Sequence, residues 1–356
     1  MSQPEPAPAP GAEFLAEIHD QPAALRRLLE HRAEFVAVAE AAARHGAGVI
    51  RMVGHGSSDN AASFGVYAFG LLPGLTAMRD SISLLVYFGA ELDLSGSVVV
   101  GLSQSGQTPD VLAYVERARH SGAFTIAVTN EPDSDLARAA EAVLPLSAGA
   151  ELAVAATKTY SNQVAALALL AGCLAGRCDE LAGLLDELAD QLEGHLPEFE
   201  RQASSFAIPF ASIARMFVIG RGPEFATARE IALKLLETCQ IAAEPLTATD
   251  LAHGPVAALD PLFPVWAIAG EDETLDAVVD ATARARAVGA TVVASGTAAR
   301  ALRDAQYVVP IPRPRLPLLA PLLSVVPGQL FAGAVARAKG LDPDKPRGLS
   351  KVTLAR

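Results

Sequence analysis

Apolar positions along this chain alternate between two patterns. Short continuous runs such as Val49–Val53, Ser97–Leu102 and Thr291–Ala294 are separated by longer Ala/Leu-rich stretches with helical spacing. Continuous apolar runs predict strands buried on both faces, and the stretches between them predict crossover helices. Together they specify an α/β fold with parallel sheets. The pattern can be read twice. In the first half strands are expected at Val49–Val53, Ser83–Tyr87, Ser97–Leu102, Thr125–Thr129 and Val143–Leu146. In the second they are expected at Met216–Ile219, Ile241–Leu246, Val265–Ala269, Thr291–Ala294 and Tyr307–Ile311. Each half therefore predicts a doubly wound, five-stranded parallel sheet flanked by helices. Glu151–Arg177 and Glu180–Gln202 read as two helices between the halves.

The first strand of each half runs into a glycine turn, Gly54-His55-Gly56 in one and Gly220-Arg221-Gly222 in the other. Their separation by about half the chain points to an internal duplication. The expected division is a disordered tail over residues 1–20, a first domain over 21–203 and a second over 204–356. A dinucleotide fingerprint needs a third glycine, and Asp59 and Phe225 stand at that place, so the turns read as tight strand-to-helix connections.

Length and charge narrow the function. A chain of 356 residues has room for two cores. A net charge of −12 excludes nonspecific attraction to nucleic acid or anionic lipid, and a phosphorylated ligand would have to be held by local donors. Three cysteines without zinc-ligand spacing support neither a disulfide framework nor a metal site, which points to a reducing compartment. Met1–Gly11 has no basic start and no apolar signal core, so the protein is expected in the cytoplasm. Leu316–Ala336 carries no charge, but Pro317, Pro321, Pro327 and Gln329 make it a loop feeding a buried helix rather than a membrane span.

The segment richest in chemistry is Gly101-Leu-Ser103-Gln104-Ser105-Gly106-Gln107-Thr108-Pro109-Asp110, where a strand ends and a helix begins. Hydroxyls at Ser103, Ser105 and Thr108, the Gln104 amide and the free N–H groups of a helix start converge on one small volume. Such a volume suits a phosphate, although a Ser/Thr-capped helix without a ligand reads equally well from these residues alone.

This segment resembles the phosphate loop of the sugar isomerase (SIS) domain family. Further matches are similar to the isomerase half of glutamine:fructose-6-phosphate aminotransferases and to the amino sugar phosphate deaminases. They are Gly56-Ser57-Ser58, Glu151-Leu-Ala-Val154-Ala-Ala-Thr157-Lys158, Ala232-Leu-Lys234-Leu-Leu-Glu237, Asp250-Leu-Ala-His253-Gly-Pro255 and Gly348-Leu-Ser350-Lys351-Val-Thr353. The resemblance implies phosphate contacts from Ser58, Ser103, Gln104, Ser105 and Thr108, and a sugar-lining backbone at Val154. It implies a proton-transferring base at Glu237 beside Lys234, ring opening by His253, and a Schiff-base lysine at Lys351. Lys158 reads as a helix-surface lysine. Without the family pattern, Lys234 and Glu237 would read as an exposed ion pair, His253 as a loop end and Lys351 as part of a solvated tail.

A single base moving a proton between C1 and C2 suffices for aldose/ketose interconversion, with no metal or redox cofactor. No N-terminal cysteine nucleophile for glutamine hydrolysis is present, and Leu236 and His55 replace a lysine and a cysteine of the aminotransferases. The expected activity is therefore deamination and isomerisation of an amino sugar 6-phosphate, in a homodimer that shares His253 across its two-fold axis. The alternatives are an ammonia-dependent aminotransferase, a plain phosphosugar isomerase, a fructosamine phosphate deglycase and a non-catalytic phosphosugar sensor.

Overall fold

The structure is a computed structural model that describes residues 9–46 and 48–351. Helices α1 (Ala12–His19), α2 (Gln21–Leu29) and α3 (Arg32–His45) precede the first sheet. There follow β1 (Val49–Val53), α4 (Ser57–Leu71), β2 (Thr76–Arg79), α5 (Ile82–Val86), β3 (Ser97–Leu102), α6 (Pro109–His120), β4 (Phe124–Thr129), α7 (Asp135–Ala139) and β5 (Ala142–Pro145). Helices α8 (Lys158–Leu174) and α9 (Cys178–Phe210) lead to the second sheet. It comprises β6 (Arg215–Gly220), α10 (Glu224–Cys239), β7 (Ala242–Thr247), α11 (Ala248–Ala252), β8 (Pro264–Ile268), α12 (Leu275–Ala287), β9 (Thr291–Gly296) and β10 (Tyr307–Pro310), and α13 (Ala320–Ala338) ends the order.

Both sheets are five-stranded and parallel, in the orders β2-β1-β3-β4-β5 and β10-β9-β8-β6-β7. Strand order reverses between β1 and β3, whose ends meet at Val53 and Gly101, and again between β6 and β8. Such switch points leave a crevice beyond the carboxyl ends of the strands, where ligands of open α/β sheets bind. Every residue of β3 and of β8 is buried, which is why both are continuous apolar runs in the sequence.

The second strand of the first half is displaced from its expected place. Ser83–Tyr87 lies on α5 and its C-cap, and β2 is Thr76–Arg79 instead. Ile82 and Leu85 are the buried residues there, three apart as on a helix, while β2 is a largely exposed edge strand with no apolar run to announce it. Residues 151–157 are not helical. The buried Glu151 carboxylate accepts the backbone N–H groups of Thr157 (2.9 Å) and Thr159 (3.1 Å), so it caps α8 rather than belonging to it.

Residues 1–8, in the expected tail, lie outside the described residues. From Ala12 the chain is helical: Phe14 and Ile18 of α1 are fully buried, and Asp344 accepts the Phe14 N–H at 2.7 Å. Lys158 is buried and paired with Asp20 at 2.8 Å, not on a helix surface. Cys173 and Cys178 form a disulfide across the tight α8–α9 turn, contrary to the expectation from the cysteine count. Helix α13, with the turn before it, is long and apolar enough to cross a membrane, but its apolar stretch is buried, packed against α9 and α10.

The main core is continuous through both halves, with Met52, Leu167 and Phe199 in the same cluster as Trp266 and Phe331. Within it α4 packs against α10. That contact sets the glycine turn after β1 beside the C-terminal part of α10.

Candidate active site

The first switch point holds the candidate site. After β1 the chain turns at Gly56 (φ +55°) into α4, and after β3 it loops through Ser103–Thr108 into α6. The second loop is internally braced. Ser103 Oγ lies 2.9 Å from Thr108 Oγ1 and accepts the Gly106 N–H at 3.1 Å, while Ser105 Oγ accepts the Gln107 N–H at 3.3 Å. Gly106 is required there: its φ is +61°, and a Cβ would collide with the Ser134 side chain. Ser58 Oγ is oriented by Gln163 Nε2 at 2.9 Å.

These two turns enclose a cavity of about 470 Å³ lined by His55, Gly56, Ser58, Leu102, Ser103, Gln104, Ser105, Thr108, Asp110 and Lys351. All five expected phosphate contacts thus face one space. Hydroxyls, an amide and two helix N-termini make it a donor-rich pocket for an anion. A smaller cavity of about 180 Å³ is also lined by His55, Ser58, Gln104 and Lys351, and adds Val154 and Glu237. The two share a border, so a hydroxyl-rich end continues into an end bearing a carboxylate and an amine.

Beneath the smaller cavity is a buried charge cluster. Lys234 is fully buried, with its Nζ 2.6 Å from Glu237 and 3.3 Å from Glu230. Burial works against the Lys234 ammonium, but Glu230 and Glu237 more than offset it and hold its pKa above the ordinary value. Glu230 accepts from Ser57 Oγ at 2.9 Å and Asn60 Nδ2 at 2.8 Å, and burial raises its pKa against the pull of Lys234. Glu237 is 22% exposed and is the member of the cluster that reaches the cavity. The exposed ion pair that spacing alone would suggest is in fact a buried network tying α10 to α4.

Lys351 Nζ bonds Glu151 Oε2 at 2.8 Å and the Ala153 carbonyl at 2.7 Å. Burial would raise the Glu151 carboxyl, yet Lys351 and the Thr157 and Thr159 donors hold it below the usual range. The end of the C-terminal motif, Val352 and Thr353, lies outside the described residues. His253 caps the short helix α11, is exposed, and lines neither cavity.

Glu230, Glu151 and Asp110 belong to this centre although sequence reasoning gave none of them a role. Glu230 stands four residues before Lys234, a spacing that could have marked it. Nothing local links Glu151 to Lys351 or Asp110 to His55. No cluster of ligating residues suited to a metal occurs among the described residues.

The second switch point is built differently. Counted from its glycine turn, Glu224 stands where Ser58 stands in the first half, buried and accepting from Thr227 and Ser324, each at 2.7 Å. The loop after β8 keeps a threonine, Thr274, before its helix but carries Glu271, Asp272 and Glu273 ahead of it. Carboxylates repel an anion, so of the two switch points only the first offers a donor-rich crevice.

The SIS domain model matches residues 45–172 and 210–337. A glutamine–fructose-6-phosphate aminotransferase (isomerizing) from Symbiobacterium thermophilum is 37% identical over 95% of this chain and 58% of its own length. The chain thus spans little more than half of that relative. A putative phosphosugar isomerase from Silicibacter pomeroyi DSS-3 superposes with a TM-score of 0.82 at 31% identity, over 93% of this chain and 99% of its own. The C-terminal domain of glucosamine-fructose-6-phosphate aminotransferase from Francisella tularensis has the same fold, with a TM-score of 0.86 at 24% identity over 97% of this chain and all of its own.

Proposed function

The chain belongs to the SIS domain family, and from that premise we propose that it is an amino sugar 6-phosphate deaminase/isomerase, converting glucosamine 6-phosphate to fructose 6-phosphate and ammonia. One observation carries this reading: the donor-rich cavity and the carboxylate-bearing cavity adjoin and share His55, Ser58, Gln104 and Lys351. A hexose phosphate placed with its phosphate among Ser58, Ser103, Gln104, Ser105 and Thr108 extends its far carbons toward Glu237. That carboxylate, held by Lys234, would move the proton between C2 and C1 of the open-chain sugar. Proton removal at C2 and return at C1 turns a 2-amino aldose into a 2-imine, and water then releases ammonia and leaves the ketose. Lys351, at the junction of the two cavities, would receive the ketose carbonyl as a Schiff base, and the Val154 backbone would line the sugar.

Deamination is preferred to amination because running the same steps backwards needs a supply of ammonia. Leu236, 53% exposed on α10, stands where the aminotransferase pattern has a lysine. A homodimer remains part of the proposal, since His253 could enter a site only from a second copy.

The purified protein with glucosamine 6-phosphate should yield equal amounts of ammonia and fructose 6-phosphate, and glutamine should have no effect. Glu237→Gln should abolish solvent exchange of the C2 proton while retaining sugar phosphate binding. Glutamate formed from glutamine, or normal exchange in Glu237→Gln, would overturn the assignment.

A further inference from the structure

We propose that His55, held by Asp110, is the acid that opens the sugar ring within a single subunit. This rests on the sugar phosphate reading above and departs from the family pattern, which assigns ring opening to His253. His55 Nε2 lies 2.7 Å from Asp110 Oδ2. The carboxylate fixes the ring, and Nδ1 has no protein partner among the described residues. His55 lines both cavities, so it sits where the phosphate end meets the sugar end.

Chemistry requires an acid at that border. In a hexopyranose 6-phosphate the ring oxygen O5 is bonded to C5, which carries C6 and the phosphate, so O5 lies at the phosphate end of the ring. C1 and C2 lie farther off, toward Glu237. Glu237 suits the carbon-bound protons, and of the titratable groups lining both cavities His55 is the one that is neither tied to a buried partner nor an acceptor only.

Opening proceeds with full balance. The O1 proton passes to water, the O1 electrons form the C1=O1 double bond, the C1–O5 bond breaks, and O5 takes the proton of the His55 imidazolium. The imidazole then recovers a proton from solvent, to which its side chain is 57% exposed. Asp110 has a clear place in this arrangement. A bare carboxylate beside a phosphate would oppose binding, whereas one engaged by His55 orients the acid and is screened from the anion.

Ring opening can be read apart from isomerisation, as exchange between the α and β anomers of glucosamine 6-phosphate in NMR exchange spectra. The wild type should accelerate that exchange, and His55→Asn should lose at least about 100-fold of it. Affinity for glucitol 6-phosphate, an open-chain polyol phosphate, should change less than about twofold, since phosphate contacts lie elsewhere. Added imidazole should restore anomer exchange to His55→Ala, which a merely structural defect would not allow, and Asp110→Asn should lose most of it while still binding glucitol 6-phosphate. Retained exchange in His55→Asn would overturn the proposal, as would loss of glucitol 6-phosphate affinity in the same proportion, which would make His55 a phosphate ligand. Loss of exchange in His253→Asn with retention in His55→Asn would return the role to His253. A wild type that exchanges anomers but releases no ammonia would remove the deaminase reading and leave this one standing.

Discussion

At the residue scale, buried charge separates the two switch points of the molecule. At the first switch point Lys234 of α10 compensates Glu230 and Glu237, and Lys351 compensates Glu151. Glu224 in the second half is fully buried with two hydroxyl donors and no cation, and burial raises its pKa to about 7 from 4.5. The sign of the linkage follows. Below pH about 4.5 the carboxyl is protonated in both folded and unfolded states and costs nothing. As pH rises toward 7 the unfolded chain loses its proton first, so stability falls, and by about pH 7 the loss is complete. Its size is roughly 3 kcal/mol, the free-energy equivalent of the shift. Glu224→Gln should flatten the decline in urea-unfolding stability between pH 5 and 7. An unchanged slope would mean that Glu224 ionises normally.

Elements bring catalytic groups together by ending at the right places. Helices α4 and α6 begin at the carboxyl edge of the first sheet, so their N-terminal donors face the same crevice. The loop before α6 depends on Gly106, whose left-handed backbone and contact with Ser134 leave no room for a side chain. Gly106→Ala should destabilise the fold by more than about 1 kcal/mol. Its loss of glucitol 6-phosphate affinity should exceed tenfold, because the strain falls on the loop that carries Ser103, Ser105 and Thr108. Isothermal titration at a temperature where the variant is folded checks this, and wild-type affinity would show that the loop does not hold the phosphate.

Over the whole molecule, the two halves share one core. Trp266, Phe331 and Phe206 pack together at the second sheet, Phe206 stacked on Phe331 with centroids 5.2 Å apart, yet they belong to the cluster that holds Met52 and Leu167 of the first. The buried Glu230 and Lys234 of α10 also bond Ser57 and Asn60 of α4, which ties the halves through polar groups. Calorimetry should therefore record one cooperative transition rather than two. Residues 21–203 expressed alone would expose the faces of α4 and α9 that pack on α10 and α13, and should aggregate or bind a hydrophobic dye. Two resolved transitions would mean that the halves fold independently.

The sequence by itself determined what depends on neighbours along the chain. Nine of the ten described strands lie where the apolar runs place them, most plainly β3 and β8, which are buried on both faces and so apolar throughout; the exception is β2, an exposed edge strand without such a run. The duplication, the glycine turns and the Ser103–Thr108 loop were legible for the same local reason. Tertiary structure alone decided which polar and charged groups meet. Glu151 and Lys351, His55 and Asp110, and Ser57 and Glu230 are each separated by many residues and carry no mutual signal of spacing. It also decided that Lys234 is buried rather than exposed, because burial depends on what packs over a helix and not on the helix's own pattern.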